Sequence, residues 1–589
     1  MAKRIHIARN IMAAIAGFGF TTFAVGAFYA WSAAGQHGWS DLGYSWLALD
    51  YWSQLHEWKE GLAGAGLTFT LACIADLLTK KISAGRWIQT ITSLAGRPTV
   101  CLVFLFVAYG LAPMAAKLTQ PDAPANSPNV LFVLIDTWRA DHAGFLGYQR
   151  PVSPGLDRLV AEGAVFETGV AQSGWTKPTV ATLFTGLIPS LHGAVSQPIP
   201  GMKVHGTELP PDRTTFIEIL RANGWDTAMW SNNPNILPHH GFAQGAGYFR
   251  SFVGESVGER FDAGRAEWML PEVAAWLAER DSARPFCAYV HLMDPHYPYV
   301  APKPFAGTFD QSGLDFQLNG TVIGEFLDGK RKIESVTPAM LQRIVDIYDE
   351  ELLYIDYYLA PFLESVRQNF PNTIIVLVGD HGEEFLEHGQ FGHGHSLYEE
   401  LVHVPLVLLG PGIPAGFRTN QVARQMDVLP TLMELTGTTH DALLEAIQGE
   451  SLLSMMAGAT PNRLAPMESG GDQRPPWHWR GISDGDWKLL MRENDLPSVK
   501  PIPVLSEREQ SGEGPWHMLF QLSKDPLEIQ DISLDNLTEV KRLHQLFERR
   551  NWLFEPAMIL QLGTSDGSVG ANLHLLNQLG YADIDQSQD

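Results

Sequence analysis

Cysteine is almost missing from this chain: Cys73, Cys101 and Cys287 are the only three in 589 residues. Two fall in uncharged apolar runs and the third in an apolar, β-forming segment, so no disulfide framework staples the fold. That scarcity alone leaves the redox compartment open. Cations are short as well, with 41 Lys and Arg against 65 Asp and Glu and a formal net charge of -24. A polyanionic backbone would be repelled rather than drawn in, which excludes nucleic acid as a partner. Length gives a soft expectation of about three or four domains.

Charge of either sign disappears altogether near the N-terminus. From Asn10 to Ser40 no residue is charged, counting His37 as neutral, and a second uncharged run spans 98–116. Between them, 61–78 is apolar apart from Asp76. Runs of this length can cross a bilayer, and the reading adopted is three helices at about 10–33, 61–78 and 98–116 within a membrane region 1–118. Lys3, Arg4 and Arg9 precede the first run, and Lys80, Lys81, Arg86 and Arg97 separate the second from the third. Positive residues stay on the cytoplasmic side, so everything after Ala116 is expected on the outer, periplasmic or extracellular, face of the cell membrane. Trp39, Tyr44, Trp46, Tyr51, Trp52 and Trp58 suit the outer interface. The competing reading, a signal peptide cut near Ala33, leaves the two later runs unexplained. Residues 119–128 are polar and rich in proline, an extended linker.

Beyond the linker the pattern changes. Asn129 to Ile135 is a continuous apolar run ending at Asp136, and Thr373 to Val378 repeats it, ending at Gly379-Asp380-His381-Gly382-Glu383. Phe286 to Val290 runs into His291-Leu-Met-Asp294-Pro-His296. Such runs read as strands buried on both faces. Helical patterns alternate with them, at Leu156 to Glu162, Thr214 to Asn223 and Leu270 to Glu279. The fold class expected is therefore α/β, helices on both sides of a large, mostly parallel sheet. Ligands in such folds bind beyond the carboxyl ends of the strands, where Asp136, Asp380 and His381 stand.

A third signal is Ser173-Gly-Trp-Thr176-Lys177-Pro178 through Gly186. Pro178 suits a first helical turn and Gly186 a helix end. A hydroxyl at Thr176 would face unpaired N–H groups and the positive end of the helix dipole, where an alkoxide or an anion is favoured. Taken alone, Thr176 reads first as an N-cap, and it is the partners elsewhere in the chain that favour the nucleophile.

Together these segments resemble the sulfatase family of the alkaline-phosphatase superfamily. The resemblance rests on Asn129 to Asp136-Thr-Trp-Arg139-Ala-Asp141, Pro154-Gly-Leu-Asp157, Thr176-Lys-Pro178 to Gly186 and His192-Gly. It continues in His291-x-x-Asp294-Pro-His296, Gly379 to Glu383, Gly392-His393-Gly394, Asp427-Val-Leu-Pro-Thr431 and Lys524-Asp-Pro526, and so runs from about Asn129 to about Trp552. It implies a catalytic domain at 129–468, a small α+β subdomain at 469–555 and an unassigned tail at 556–589. It also implies one divalent metal on Asp136, Thr176, Asp380 and His381. Two carboxylates and an imidazole suit Mn or Zn, with Ca or Mg as alternatives. Thr176 would attack a phosphate or sulfate ester, and His296, His393 and Lys177 would contact the substrate, one histidine protonating the leaving group. A second metal on His388, His393 and His395 with Asp294 is the alternative to unliganded loop histidines. Arg139, Asp141 and Asp157 read as structural braces, and the Gly-rich insert 305–336 as a lid.

Departures from the family pattern decide the expected chemistry. Formylglycine sulfatases carry Cys or Ser where this chain has Thr176, and Arg where it has Val180. A threonine cannot be oxidised to that aldehyde. Thr137 stands where a second Asp is expected, which weakens the case for calcium. Trp230-Ser-Asn-Asn-Pro234 replaces the Lys and His of the sulfate clamp. The expectation is a membrane-anchored hydrolase of phosphate mono- or diesters. The alternatives are a transferase moving a lipid phosphate headgroup, a sulfuric ester hydrolase, and a non-catalytic membrane scaffold.

Overall fold

The computed structural model describes residues 121–195, 208–253, 264–280, 283–327, 330–438, 447–469, 478–493 and 517–549. The chain divides into two units, Met1–Gln120 and Pro121–Asp589, and every described residue belongs to the second. The three expected membrane runs and the tail 556–589 thus lie outside the described residues. Among the described residues, no helix is long and apolar enough to cross a membrane.

The first strand, β1 (Asn129–Ile135), shows why the sheet is central. Its residues alternate between two cores: Leu131, Val133 and Ile135 join one apolar cluster, Val130, Phe132 and Leu134 the other. A strand sandwiched in this way must be apolar on both faces, as its sequence is. Fully burying each large side chain contributes about 1.5–3 kcal/mol. The other strands are β2 (Ala164–Val170), β3 (Asp226–Ser231), β4 (Tyr248–Ser251), β5 (Phe286–Leu292), β6 (Thr373–Gly379), the short pair β7 (Glu384–Phe385) and β8 (Phe391–Gly392), β9 (Leu406–Leu409) and β10 (Phe417–Arg424). Eight of them form one sheet in the order β10-β2-β9-β6-β1-β5-β3-β4. Every neighbouring pair is parallel except those made by β9, which runs against both β2 and β6.

Helices α1 (Pro154–Val160), α2 (Thr176–Thr185), α3 (Phe216–Ala222), α4 (Ala266–Glu279), α5 (Gly320–Leu327), α6 (Pro338–Asn369) and α7 (Val428–Thr436) cover the sheet. Residues of α1, α4 and α6 fill one core, and residues of α2, α3 and α7 fill the other. The first three helices expected from sequence pattern all form, with ends shifted by a few residues. The strand expected to stop at Val290 runs on to Leu292, which places His291 inside β5.

A second, antiparallel sheet is formed by β11 (Ala465–Glu468), β12 (His478–Ser483), β13 (Trp487–Glu493) and β14 (His517–Gln521), with helix α8 (Leu537–Arg549) against it. Because β11 pairs with β12, this sheet takes in Ala465 to Glu468, ahead of the expected boundary at 469. Lys488 on β13 is buried and ion-paired with Glu399 at 2.8 Å and Glu528 at 3.1 Å, which ties the sheet to the chain just before β9.

Candidate active site

Four adjacent strands, β6, β1, β5 and β3, bring their carboxyl ends to one place. Ile135 pairs with Gly379 on one side and Leu292 on the other, so Asp136 and Asp380 follow paired positions on neighbouring strands. Both are fully buried. Asp136 Oδ2 accepts from Asn233 Nδ2 at 2.7 Å and from His291 Nε2 at 2.9 Å, and His291 Nδ1 accepts from the Tyr289 hydroxyl at 3.0 Å. Asp380 Oδ1 accepts from the backbone N–H of Thr137 at 3.0 Å and of His381 at 2.8 Å. The other oxygen of each carboxylate has no hydrogen-bond partner.

His381 completes the cluster. Its Nδ1–H donates to the Gly382 carbonyl at 2.8 Å, leaving the Nε2 lone pair 3.6 Å from Asp136 Oδ1 and 3.4 Å from Asp380 Oδ2. Burial, then the neighbouring His393, push this imidazole down to about 3, so it is neutral and able to act as a ligand. Burial raises Asp136, but the His291 hydrogen bond and the surrounding imidazoles outweigh it and hold the carboxyl below its usual range. Asp380 moves the other way: burial first, and the charge of Asp136 second, hold it well above. The ligand atoms of Asp136, Asp380 and His381 lie within 4.8 Å of one another. Two orphaned buried carboxylate oxygens are costly unless a cation sits between them, and with the His381 lone pair beside them that donor set fits a divalent metal.

Thr176 is the first residue of α2, and the N-cap is Trp175. Its hydroxyl therefore is not a cap, which removes the plain structural reading of this residue. Instead Thr176 Oγ1 lies 3.2 Å from His381 Nε2 and 3.4 Å from Asn233 Nδ2. Thr179 bonds back to the carbonyls of Trp175 and Thr176, and Gly186 ends the helix at φ 69°. Thr137 sits in the left-handed region at φ 52°, an uncommon conformation for a β-branched residue that costs about 1–3 kcal/mol. The turn aims its N–H at Asp380 and its carbonyl at the Tyr348 hydroxyl, 2.7 Å away.

A family description named Sulfatase matches residues 128–438. The chain belongs to the sulfatase family. That family sits in the alkaline-phosphatase superfamily and is metal-dependent, and the Asp136, Asp380 and His381 group is where this member would hold its ion. The chain is similar to Arylsulfatase K of Mus musculus, 25% identical over 485 residues that cover 74% of this chain and 81% of that protein. It is also similar to a Sulfatase of Formosa agariphila, 25% identical over 57% of this chain and 74% of that one. Among solved structures it resembles the Phosphonate Monoester Hydrolase of Agrobacterium radiobacter, with a TM-score of 0.54 and 20% identity, covering 72% of this chain and 95% of the other. At that identity the structural likeness speaks for the α/β sulfatase fold alone.

Two of the remaining expected site residues, His393 and His296, lie beside His381. The ring of His393 lies 4.5 Å from that of His381 and 4.9 Å from that of His296. His393 Nδ1 pairs with Glu383 Oε1 at 2.9 Å, and His296 Nδ1 donates to the Tyr297 carbonyl at 2.6 Å. Lys177 is buried beside Thr176, close enough to His240 to lower that imidazole, after burial, to about 4. The three histidines weighed for a second metal do not converge. His388 pairs with Glu400 at 2.7 Å and stacks on Tyr398, His395 pairs with Glu384 at 2.6 Å, and His393 takes Glu383. Asp294 accepts instead from the N–H of Ala266, at the start of α4. Arg139 braces the site, gripping Asp141 through two nitrogens and reaching Glu387 and the Glu383 carbonyl. Asp157 accepts from Ser153, just ahead of α1. In the insert, Ile323 of α5 lies near Gly392 and Phe326 meets the Phe391 ring at 5.4 Å, so α5 packs beside the segment bearing His393.

Sequence reasoning missed Asn233, His291 and Glu383 as members of the site. Asn233 was read only as part of a stretch that lacked the sulfate clamp. Period-2 counting from the end of β5 was the available signal for His291, since Tyr289 and His291 share one face of the strand.

Proposed function

We propose that this sulfatase-family protein hydrolyses phosphate esters, mono- or diesters, through a covalent intermediate on Thr176. The observation that carries the reading is the position of Thr176 Oγ1, at a helix N-terminus, hydrogen-bonded to His381 Nε2 at 3.2 Å in the cluster that holds two orphaned carboxylate oxygens. A divalent ion held by Asp136, Asp380 and His381, with Thr176, supplies Lewis acidity that favours the alkoxide and polarises an ester oxygen. Val180, fully buried in α2, stands in the place of the arginine that formylglycine sulfatases carry, and Cys287 is buried within β5. Both facts favour direct use of the threonine hydroxyl.

In the first step Thr176 Oγ passes its proton to solvent water and bonds to phosphorus. The ester oxygen departs with its electron pair and takes a proton from His296, which regains one from solvent; His393, kept neutral by burial and by His296, contacts the substrate. Water then attacks the phosphoryl group, the Oγ–P bond breaks, and a proton returns to Oγ. Lys177 and the first N–H groups of α2 face the anionic oxygens, and the Tyr289–His291–Asp136 chain keeps its carboxylate from rotating. The three apolar N-terminal runs support placement at the cell membrane, with the catalytic domain on its outer face and a small ester or lipid headgroup as substrate.

A second reading, sulfate ester hydrolysis by the same hydroxyl, is favoured by the names of the relatives, Arylsulfatase K and Sulfatase. Mass spectrometry separates the two. The full chain, quenched during turnover of a slow phosphodiester, should carry a phosphoryl adduct on the peptide containing Thr176 and lose it in Thr176→Ala. Turnover of an aryl sulfate with no reaction of any phosphate ester would overturn the proposal.

A further inference from the structure

We propose that Tyr348 is a positioning residue for the metal: its hydroxyl clamps the strained turn at Thr137, and that turn fixes which oxygen Asp380 offers the ion. The proposal rests on the metal group of Asp136, Asp380 and His381 and holds for a phosphate or a sulfate ester alike. Tyr348 lies on α6, 211 residues along the chain from Thr137, and is fully buried. Its hydroxyl donates to the Thr137 carbonyl at 2.7 Å and accepts from the Arg139 N–H at 3.1 Å. One side-chain oxygen thus bridges the two ends of the turn Thr137-Trp138-Arg139.

Thr137 needs such a clamp. At φ 52° a β-branched residue stands in the left-handed region, a conformation that persists only where its surroundings hold it. Thr137 and Arg139 are both buried, so without the hydroxyl a carbonyl and an N–H would lose this partner away from water. What the clamp keeps in place is a second N–H. That of Thr137 donates to Asp380 Oδ1 at 3.0 Å, beside the His381 N–H at 2.8 Å, while Oδ2 has no hydrogen-bond partner and lies 3.4 Å from His381 Nε2. With Oδ1 tied by two donors the carboxylate is held against rotation, and Oδ2 is the oxygen left for an ion. The turn also seats against the residue before Asp380, since a Cβ on Gly379 would lie 2.7 Å from the Trp138 carbonyl. Releasing the turn therefore loosens the ligand. Partners that orient a metal ligand in this way are typically worth about 10- to 100-fold in affinity.

The test strips the full-length protein with a chelator and titrates it with Mn2+ and, separately, with Zn2+, reading affinity by competition against a chromogenic chelator. Tyr348→Phe removes the hydroxyl and keeps the ring that packs on Tyr299, Phe385 and His142. It should bind each ion at least about 10-fold more weakly. With the ion in large excess its kcat should climb back toward the wild-type value at unchanged KM, because the loss is one of occupancy; damage to packing alone would not be repaired by metal. Thr137→Gly approaches the turn from the other side. Glycine takes a positive φ without strain, so Tyr348→Phe should cost less ion affinity in that background than in wild type. Unchanged ion affinity in Tyr348→Phe, a loss of turnover that excess ion does not recover, or an equal loss of affinity with glycine at 137 would overturn the proposal. A wild-type protein that takes up neither ion would overturn the metal group on which it rests.

Discussion

Replacing Asp380 by Asn tests the metal centre with little change of shape. Asp380 Oδ1 accepts from the N–H groups of Thr137 and His381, and an amide oxygen can do the same. What changes is Oδ2, the oxygen without a partner, 3.4 Å from His381 Nε2. An NH2 group there can donate to His381 Nε2 or Asp136 Oδ1, the atoms an ion would otherwise use. The ligand atoms lie within 4.8 Å of one another. Two unit charges at that outer limit repel by about 3.5 kcal/mol at an effective dielectric of 20. Without an ion, burial and then the charge of Asp136 raise the Asp380 pKa in the folded state, which makes ionising it costly. A raised carboxyl pKa means that stability falls as pH climbs through it; Asn at this position has no such loss. Asp380→Asn should therefore bind a divalent ion at least about 100-fold more weakly, a change of about 2.7 kcal/mol, and lose turnover. Stripped of metal, it should unfold no lower than stripped wild type, with a gap in its favour that widens at alkaline pH. Elemental analysis after dialysis and thermal unfolding across pH measure the two effects. Wild-type metal content in the variant, or a stripped variant that melts well below stripped wild type, would refute the reasoning.

Two further outcomes follow from single side chains. Thr176→Ser keeps the hydroxyl but frees χ1, and kcat should fall about 10-fold while metal content is unchanged; complete inactivity would mean that the methyl group does more than orient Oγ. Asp294 has a pKa raised to about 6, burial being the main cause, with Arg265 and the Ala266 N–H in opposition. Its ionisation is free below the ordinary value near 4 and penalised progressively up to pH 6, by at most about 3 kcal/mol. The melting-temperature difference between Asp294→Asn and wild type should thus grow from pH 4 to pH 7, and a difference that stayed constant would exclude the assignment.

How much of this was legible depended on whether a residue's role is local. Asp136, Asp380 and His381 could be found because apolar strands stop at them, and the carboxyl ends of neighbouring parallel strands converge by construction. Thr176 was legible as the start of a helix from Pro178 and Gly186, though not as its first residue with Trp175 as the cap. Asn233 and His291 were not legible, because what matters about them is a partner far along the chain: each bonds Asp136 Oδ2, across 97 and 155 residues. The reversed strand β9 was likewise hidden, since a short apolar run has no direction until its neighbours are known. The four-stranded sheet takes in residues ahead of 469, the boundary the resemblance implied, because β11 belongs by pairing, through Ala465 opposite Ser483, to strands that lie beyond it.

The segment from Glu383 to His403 shows why a run of histidines need not be a metal site. Four of them face carboxylates from the same segment: His388 takes Glu400, His393 takes Glu383, His395 takes Glu384 and His403 takes Glu399. Gly389, Gly392 and Gly394 all have φ between 85° and 87°, so the backbone folds back on itself at places where a side chain would be strained. Gly382 is bound more tightly still, since a Cβ there would run into the Glu400 carbonyl. The pairs of His388, His393 and His395 therefore join parts of the segment on either side of these turns, whereas His403 and Glu399 pair across one helical turn. A ligand histidine needs its second nitrogen held and its first left bare. At the cluster His381 has Nδ1 held by the Gly382 carbonyl and Nε2 shared with the Thr176 hydroxyl, itself an expected ligand, whereas both nitrogens of His388 are taken by Glu400 and by the Glu528 carbonyl. The histidine-rich stretch thus works as scaffolding that presents one ring, His393, to the reacting centre.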